Sequence, residues 1–504
     1  MFRRILVANR GEIAVRLIRA CRDLGISPVA VFSTADRESL HVRLADRAYP
    51  IGDSAATESY LRIDRLIEAA HRSGCEAVHP GYGFLAENAE FARACDAAGL
   101  VFIGPGPEAM DLMGNKIAAR RTVRRAGVST VPGSDDPVDS PAQALQMARQ
   151  IGFPVLVKAS SGGGGKGMRV VENAEALNDA LQIAAGEAAA AFADPSVYLE
   201  KYLERPRHIE VQILGDGRGN LVHLGERECS IQRRHQKLVE ECPSPFVDSR
   251  LRKELGEAAL AVARSAGYQN AGTVEFLVDA ARSEAAPSFY FLEMNTRLQV
   301  EHPVTEMVTG LDLVCSQIRI AAGEPLGFSQ GDVRWHGSAV ECRVYAEDPD
   351  QGFLPSPGRI LGLVEPSGPG IRNDSGVAEG FSIPVDYDPL ISKMVAHGRD
   401  RREAIGRLDR ALGEYRILGV KTTIPLFRRL LAHPAFLDGR LHTGFLAEHG
   451  LTVLADEQRR RGECLAVAAA ALERMDGRDL AAADGLPDHR RRSRWKDSGR
   501  RRWA

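Results

Sequence analysis

The chain has 504 residues, with 65 Lys and Arg against 67 Asp and Glu, a formal net charge of −2. With 26% charged and 44% hydrophobic residues it has the composition of an ordinary soluble globular protein, which excludes a globally basic nucleic-acid binder and a strongly acidic solvating chain. At about 150 residues per domain, and with single cores ceasing to grow near about 250–300 residues, roughly three domains are expected.

Residues 4–8 predict a buried strand, ended by the polar turn Asn9-Arg10-Gly11-Glu12. Ile13, Leu17, Ile18 and Cys21 recur at helical spacing until Gly25 stops the helix, and 28–32 forms a second strand. Strand, helix, strand in that order implies a right-handed parallel unit opening a doubly wound sheet. The pattern continues with a helix at 60–73 and strands at 76–79 and 100–103. Residues 1–115 are read as one α/β domain, and the Pro/Gly/Asp-rich run 131–141 as a boundary. Beyond it come a helix at 142–151, a strand at 154–159, a glycine loop, a strand at 168–172, an Ala-rich helix at 174–191 and a strand at 197–203. From 204 the reading changes to longer alternating strands at 207–214, 220–226, 271–279, 289–295 and 338–347. Helices near 249–266 and 311–322 separate them, and helices at 401–415 and 424–432 follow. This is an α+β region on an antiparallel sheet.

The loop Ser160-Ser161-Gly162-Gly163-Gly164-Gly165-Lys166-Gly167 formally matches Gly-x-Gly-x-x-Gly, but it leads into a strand rather than opening a helix. It also fails as a phosphate loop of the Gly-Lys-Ser/Thr type, because Gly167 follows Lys166. Four consecutive glycines are entropically costly for a casual hairpin. With Lys158 and Lys166 beside bare backbone N–H groups, the expectation is a lid over phosphates.

In 272–279 the apolar Val274, Phe276 and Val278 share one strand face while Glu275 points the other way. In 289–295, Glu293 and Asn295 share a face, with Arg297 if the strand continues. The alternation through Leu298, Val300, His302 and Pro303 suggests that it does, adding Gln299 and Glu301 to the polar row. A linker at 280–288 lets the two strands pair and bring Glu275, Glu293 and Asn295 together. Such oxygen donors suit Mg²⁺ shared with nucleotide phosphates. Taken singly, Glu200, Lys201, His208, Glu210 and the run Gln232-Arg233-Arg234-His235-Gln236-Lys237 read as surface polar residues, as do His223 and His397.

In order along the chain these pieces resemble the ATP-grasp fold and, within it, the biotin carboxylase family. The matching stretches are Ala8-Asn9-Arg10-Gly11-Glu12-Ile13-Ala14, His79-Pro80-Gly81-Tyr82-Gly83-Phe84-Leu85, Lys158 with the glycine loop, Glu200-Lys201-Tyr202-Leu203 and Arg207-His208-Ile209-Glu210-Val211-Gln212. Glu293-Met294-Asn295-Thr296-Arg297-Leu298-Gln299-Val300-Glu301-His302, Phe353-Leu354-Pro355-Ser356-Pro357-Gly358 and Gly419-Val420-Lys421-Thr422 complete the set. The resemblance covers residue 2 to about 450. It implies a Rossmann-like N-terminal domain (1–115), a linker and glycine-loop lid (116–203), and an ATP-grasp catalytic and C-terminal antiparallel-sheet domain (204–450).

The implied chemistry is attack of bicarbonate on the γ-phosphate of ATP to give carboxyphosphate, then transfer of its carboxyl group to N1 of biotin. Lys116 and Lys158 would hold phosphates, with Gly164 and Gly165 as backbone donors. Glu200, Lys201, Tyr202 and Leu203 would form the adenine-side hinge, and His208, Gln232 and His235 would complete the nucleotide pocket. Glu275, Glu293 and Asn295 would bind Mg²⁺ or Mn²⁺. Lys237, Arg297, Gln299 and the Val300 backbone would grip bicarbonate, with Glu301 as general base and Arg343 stabilising the biotin enolate. The resemblance also implies a homodimer.

None of the nine methionines precedes a lysine, so no biotin-attachment site is present, and no carboxyltransferase half is seen. Carrier and transferase are expected as separate chains, in a subunit of an acyl-CoA carboxylase such as acetyl-CoA carboxylase, in fatty acid biosynthesis. The alternatives are a subunit serving pyruvate or another acceptor, an ATP-grasp amide or peptide ligase, or a non-catalytic nucleotide-binding module. Arg343 argues against the amide ligase, and the Glu275, Glu293, Arg297, Glu301 set against the module. The stretch 451–504 is set apart, helical at 457–475. Between 487 and 504 it carries eight Arg and Lys against two Asp, and two of the three tryptophans. It reads as a solvated tail or as a docking segment for a partner subunit; nucleic acid finds no other support. The apolar run 465–472 is too short to span a bilayer, and the apolar stretch behind Arg3-Arg4 breaks at Asn9, so neither membrane nor signal peptide is expected. Eight cysteines without a Cys-x-x-Cys pair fit a reducing cytoplasm.

Overall fold

In the computed structural model, the alternating apolar segments at the N-terminus build a five-stranded parallel sheet from β1 (Arg4–Val7), β2 (Ser27–Ser33), β3 (Arg47–Gly52), β4 (Ala77–His79) and β5 (Val101–Phe102), in the order β3-β2-β1-β4-β5. Ile5, Leu6 and Val7 are wholly buried, as a central parallel strand covered on both faces requires. The helix Gly11–Asp23 lays Ile13, Leu17 and Ile18 against this sheet and ends where Gly25 takes a positive φ. The structure describes residues 1–134, 136–138, 140–159, 168–192, 194–279 and 288–451. The glycine loop with Gly164 and Gly165, nearly all of the linker at 280–288, and the expectations for 452–504 lie outside the described residues.

A second, three-stranded antiparallel sheet, β7-β6-β8, comprises β6 (Val155–Ala159), β7 (Arg169–Val171) and β8 (Val197–Lys201). It is backed by Ala144, Ala148, Leu181 and Ala184 of the helices Pro141–Ile151 and Leu177–Phe192.

The largest element is an eight-stranded antiparallel sheet of β9 (Arg207–Gly215), β10 (Leu221–Arg233), β11 (Gln236–Cys242), β12 (Asn270–Asp279), β13 (Ser288–Asn295), β14 (Ser338–Tyr345) and the strands Ile371–Ser375 and Leu390–Gly398. Their order is β13-β12-β9-β10-β11-β14, then Leu390–Gly398, then Ile371–Ser375. On one face Ile209, Val211, Ile213, Val274, Phe276 and Val278 pack against Leu251, Leu255 and Ala259 of the helix Ser249–Ser265. The opposite face changes character along β9. Leu214 shares an apolar cluster with Ile5, Val7, Leu17 and Ile18 of the N-terminal unit, whereas His208, Glu210 and Gln212 carry the polar chemistry. That shared cluster seats the N-terminal unit beside the polar face and buries the charges there.

Three sequence expectations are corrected. The strand does not run on through Pro303: β13 ends at Asn295, the chain turns, and the helix His302–Thr309 begins with proline in its first turn, where a missing N–H and a fixed φ suit a helix start. The run 232–237 forms the closing hairpin of β10 and β11, with Gln232 opposite Lys237 and Arg233 opposite Gln236; Arg234, His235 and Gln236 at its tip are exposed as expected, whereas Gln232 is buried. Its two-residue turn, Arg234-His235, has φ values of +47° and +68°, as tight hairpins demand. Glu200, His208, Glu210 and Gln232 are likewise buried rather than at the surface, each being paired by other polar groups.

Candidate active site

The pairing of β12 with β13 sets Glu275 directly opposite Glu293 and Thr273 opposite Asn295. Glu275 is well paired on one oxygen: its Oε1 accepts from Lys237 (2.7 Å), Asn295 (2.9 Å) and Gln299 (2.9 Å), and its Oε2 lies 3.0 Å from His208 Nε2. Burial would raise this carboxyl, but Lys237 and His208 hold it well below the usual carboxylate range. Glu293 has no hydrogen-bond partner among the described residues, and burial together with the facing charge of Glu275 pushes it upward against the pull of Lys116. Two opposed carboxylates and an amide oxygen form a hard donor set of the kind Mg²⁺ takes, and a dication between them would relieve that repulsion. The acidic oxygens of Glu210 and Glu275 also converge with His208, but the Lys237 ammonium already bridges those two carboxylates.

Lys237, at the start of β11, reaches across the sheet to Glu210, to Glu275, to Gln299 (3.3 Å) and to Glu301 (2.6 Å). Enclosed by three carboxylates, its ammonium is held well above the ordinary lysine value despite burial. Arg343, on β14, donates Nε to Glu240 (2.6 Å) and Nη2 to the second oxygen of Glu301 (2.8 Å). Glu301 is therefore gripped by one cation on each oxygen. Burial opposes its ionisation, yet Lys237, Arg343 and Arg227 hold it far below an ordinary carboxyl, so it stands ionised. Arg297 is anchored by Nε to Glu87 (2.8 Å) and by Nη2 to Asn295 (2.9 Å). Val300 carries its carbonyl on Lys393 Nζ (2.9 Å).

The residues expected around a nucleotide lie on the adjoining elements. Lys158 on β6 and Glu200 on β8 form a buried pair at 2.5 Å, which Arg120 joins from the helix Lys116–Arg125. Lys116 opens that helix half-buried; burial, with Lys158 nearby, lowers its ammonium against Glu293. Lys201 donates from Nζ to the carbonyls of Gly152 and Phe153 (3.0 Å each), the Tyr202 N–H reaches Pro154 O (3.2 Å), and Leu203 follows half-buried. Gln232 lies 3.5 Å from His208 Nδ1, and burial with the charge of Lys158 lowers the His235 imidazole.

Two cavities meet here. One, of about 440 Å³, is lined by His208, His235, Lys237, Glu275, Glu293, Asn295, Arg297, Gln299, Glu301 and Arg343, and is strongly charged. The other, of about 520 Å³, is lined by Arg10, Glu12, Ile13, Tyr82, Phe84, Tyr345, Val385, Tyr387 and Leu390 and is largely apolar and aromatic. Gln236, Arg297, Val300 and Arg343 line both. The arrangement can hold a polyanion and a small anion on one side of a shared wall and an apolar ring on the other.

Sequence reasoning passed over Glu87, Arg227, Glu240 and Lys393. Glu87 receives the N–H of Thr296 (2.9 Å) as well as Arg297, and fully buried Arg227 ties Glu210 to Gln212 (2.8 Å) and Thr305 (2.9 Å). One trace was visible: a lone lysine in the apolar run Leu390-Ile391-Ser392-Lys393-Met394-Val395 has no reason to be there without a buried partner.

Three family models match along the chain: biotin carboxylase, N-terminal domain (residues 1–110); carbamoyl-phosphate synthase L chain, ATP binding domain (115–328); and biotin carboxylase C-terminal domain (341–448). A pyruvate carboxylase subunit from Methanothermobacter thermautotrophicus is 54% identical over 449 residues, 89% of this chain and 90% of that protein. The propionyl-CoA carboxylase alpha chain of Ruegeria pomeroyi is 46% identical over 519 aligned residues, 98% of this chain and 75% of that one. Among solved structures, the biotin carboxylase domain dimer of Hydrogenobacter thermophilus 2-oxoglutarate carboxylase, in complex with MgADP, ADP and bicarbonate, superposes with a TM-score of 0.86 at 48% identity, covering 90% of this chain and 99% of that one.

Proposed function

The chain belongs to the biotin carboxylase family, and from that membership we propose how its own residues carry out the ATP-dependent ligation. As a biotin carboxylase it uses ATP, Mg²⁺ and biotin borne on a carrier. The observation that carries the residue assignment is the ionised Glu301 in the charged cavity, gripped between Lys237 and Arg343, the arginine lining both cavities.

Lys116, Lys158 and the backbone N–H groups of Gly164 and Gly165 would hold the phosphates, with Glu200, Lys201, Tyr202, Leu203, His208, Gln232 and His235 around the rest of the nucleotide; of these, His208 and His235 line the charged cavity. Glu275, Glu293 and Asn295 would hold Mg²⁺, which would supply positive charge against the phosphates. Arg297, Lys237, Gln299 and the Val300 backbone seat bicarbonate, its planar charge matched to the guanidinium fork. Glu301 takes the bicarbonate proton as the freed oxygen attacks the γ-phosphorus and ADP departs. Arg343, which lines both cavities, stabilises the negative charge that develops on the ring of biotin as N1 takes the carboxyl group of carboxyphosphate, its proton passing to the departing inorganic phosphate. ADP release measured with bicarbonate and free biotin each omitted in turn tests this. Dependence on both is expected; turnover indifferent to bicarbonate would overturn it.

The acceptor is set by a separate transferase. We read the chain as the first half-reaction of an acyl-CoA carboxylase, working as a homodimer in the cytoplasm with carrier and transferase subunits. The similarity to a propionyl-CoA carboxylase alpha chain over 98% of the chain supports this, and all seven described cysteines are free thiols, as a reducing compartment would keep them. Among the described residues no helix is long and apolar enough to cross a membrane. The higher identity to a pyruvate carboxylase subunit favours a second reading, with a 2-oxo acid as acceptor. Carboxylation of acetyl-CoA, propionyl-CoA and pyruvate by the complex that co-purifies decides between them.

A further inference from the structure

Lys393 is completely buried in the strand Leu390–Gly398 and lines neither cavity. Its neighbours Ile391, Met394 and Val395 are apolar and equally buried, so another apolar side chain would continue the packing. An ammonium taken wholly out of water is expensive unless it is well paired. Its carboxylate partners are second-rate: Glu12 lies at 3.3 Å, and Asp374, at 3.9 Å, already receives both nitrogens of the Arg372 fork. The best contact Lys393 makes is to a neutral acceptor, the carbonyl of Val300 at 2.9 Å.

That carbonyl belongs to the peptide joining Val300 to Glu301. The peptide unit is planar, so holding its oxygen fixes its plane and the direction in which the chain enters Glu301. On the neighbouring strand, in direct register with Lys393, stands Arg343, which grips the Glu301 carboxylate itself. Two adjacent cations on paired strands thus hold one residue, by its side chain and by the peptide before it. We propose that Lys393 is a positioning residue for Glu301: it locks the 300–301 peptide so that the carboxylate faces bicarbonate, without touching substrate. This rests on the reading of Glu301 as the base.

The test uses Lys393→Met in the full chain, which keeps the stem and removes the ammonium. Asp374→Asn, which disturbs the same buried charges without touching Val300, is the reference. Lys393→Met with Asp374→Asn, which removes one charge of each sign, stands in where the single variant folds poorly. The readout is the ratio of bicarbonate-dependent to bicarbonate-independent ATP cleavage, with the KM for MgATP and the thermal midpoint. Positioning predicts that the ratio falls at least tenfold with Lys393→Met or the double variant while the KM for MgATP stays within twofold, and that Asp374→Asn keeps the wild-type ratio. A purely structural role would lower both kinds of cleavage together and leave the ratio alone, which would overturn the proposal. If the wild-type chain itself shows no bicarbonate dependence, the reading of Glu301 fails first and is seen to fail separately.

Discussion

At the scale of single residues, the site runs on charges that would be intolerable alone. Glu293 and Glu275 face each other across a strand pair, and only Glu275 has its cationic and amide partners in place. Replacing Glu293 by Gln preserves shape and removes the negative ligand. ATP turnover should fall by at least about 100-fold, since even outer partners of metal ligands are worth about 10–100-fold, while the urea midpoint is kept. Near-normal turnover at saturating Mg²⁺ would take Glu293 out of the metal site. Glu301 owes its low pKa partly to Arg343. The base works only when deprotonated, so Arg343→Met should raise the pKa of Glu301 and move the acid limb of bicarbonate-dependent ATP cleavage to higher pH, by about 1–3 units. An unmoved limb in the pH–rate profile would show that Arg343 does not tune the base.

At the scale of elements, the bulge in β10 does most to aim the site. Between His223 and Glu226 three steps on β10 face two on β9, so the alternation of faces is reversed beyond Gly225. Arg227 thereby comes to lie opposite Glu210, on the polar face, rather than against the helix Ser249–Ser265. Gly225 has a φ of +94°, and a Cβ there would stand 2.7 Å from the ring of Trp335. That ring is itself pinned, its Nε1 donating to Leu224 O (3.0 Å). Gly225→Ala should therefore cost about 1–3 kcal/mol of stability and lower activity as well, because Arg227 holds both Glu210 and Gln212. A variant of wild-type urea midpoint would mean that the bulge tolerates a side chain.

At the scale of the whole molecule, ion pairs stitch distant parts of the chain together. Arg16 pairs with Glu306 (3.0 Å), Glu306 with Arg372 (2.7 Å), Arg372 with Asp374 (2.8 Å), and Lys393 approaches both Asp374 and Glu12. Glu12, from the N-terminal unit, is the weak point. Burial raises its carboxyl from 4.5 to about 7 even with Lys393 beside it. The folded state then keeps a proton that the unfolded chain has already lost. Stability should fall as pH rises from about 4.5 to about 7, by about 3 kcal/mol from this group. Glu12→Gln mimics the protonated form and should flatten that decline, which urea midpoints at pH 5 and pH 8 for both proteins would reveal. The same slope in both would place the pH dependence elsewhere.

Local chemistry was enough to determine the parallel opening unit, the antiparallel sheet and the facing of Glu275 and Glu293. Periodicities of two and 3.6 residues report which face of an element is buried, and both are written in consecutive residues. The long motifs likewise carried Arg297 and Glu301, and the family resemblance by position proposed Lys237 and Arg343. Only the tertiary structure decided that the strand stops at Asn295, that Gln232 and Lys237 sit across a hairpin, and that Arg227, Glu87, Glu240 and Lys393 hold the working groups in place. The links from Arg227 to Glu210 and from Glu87 to Arg297 join residues 17 and 210 positions apart, and a charge in a strand reads as solvated until its buried partner is known. Burial makes such partners obligatory, and burial here was settled by how the N-terminal unit seats beside the sheet, a contact no local pattern encodes.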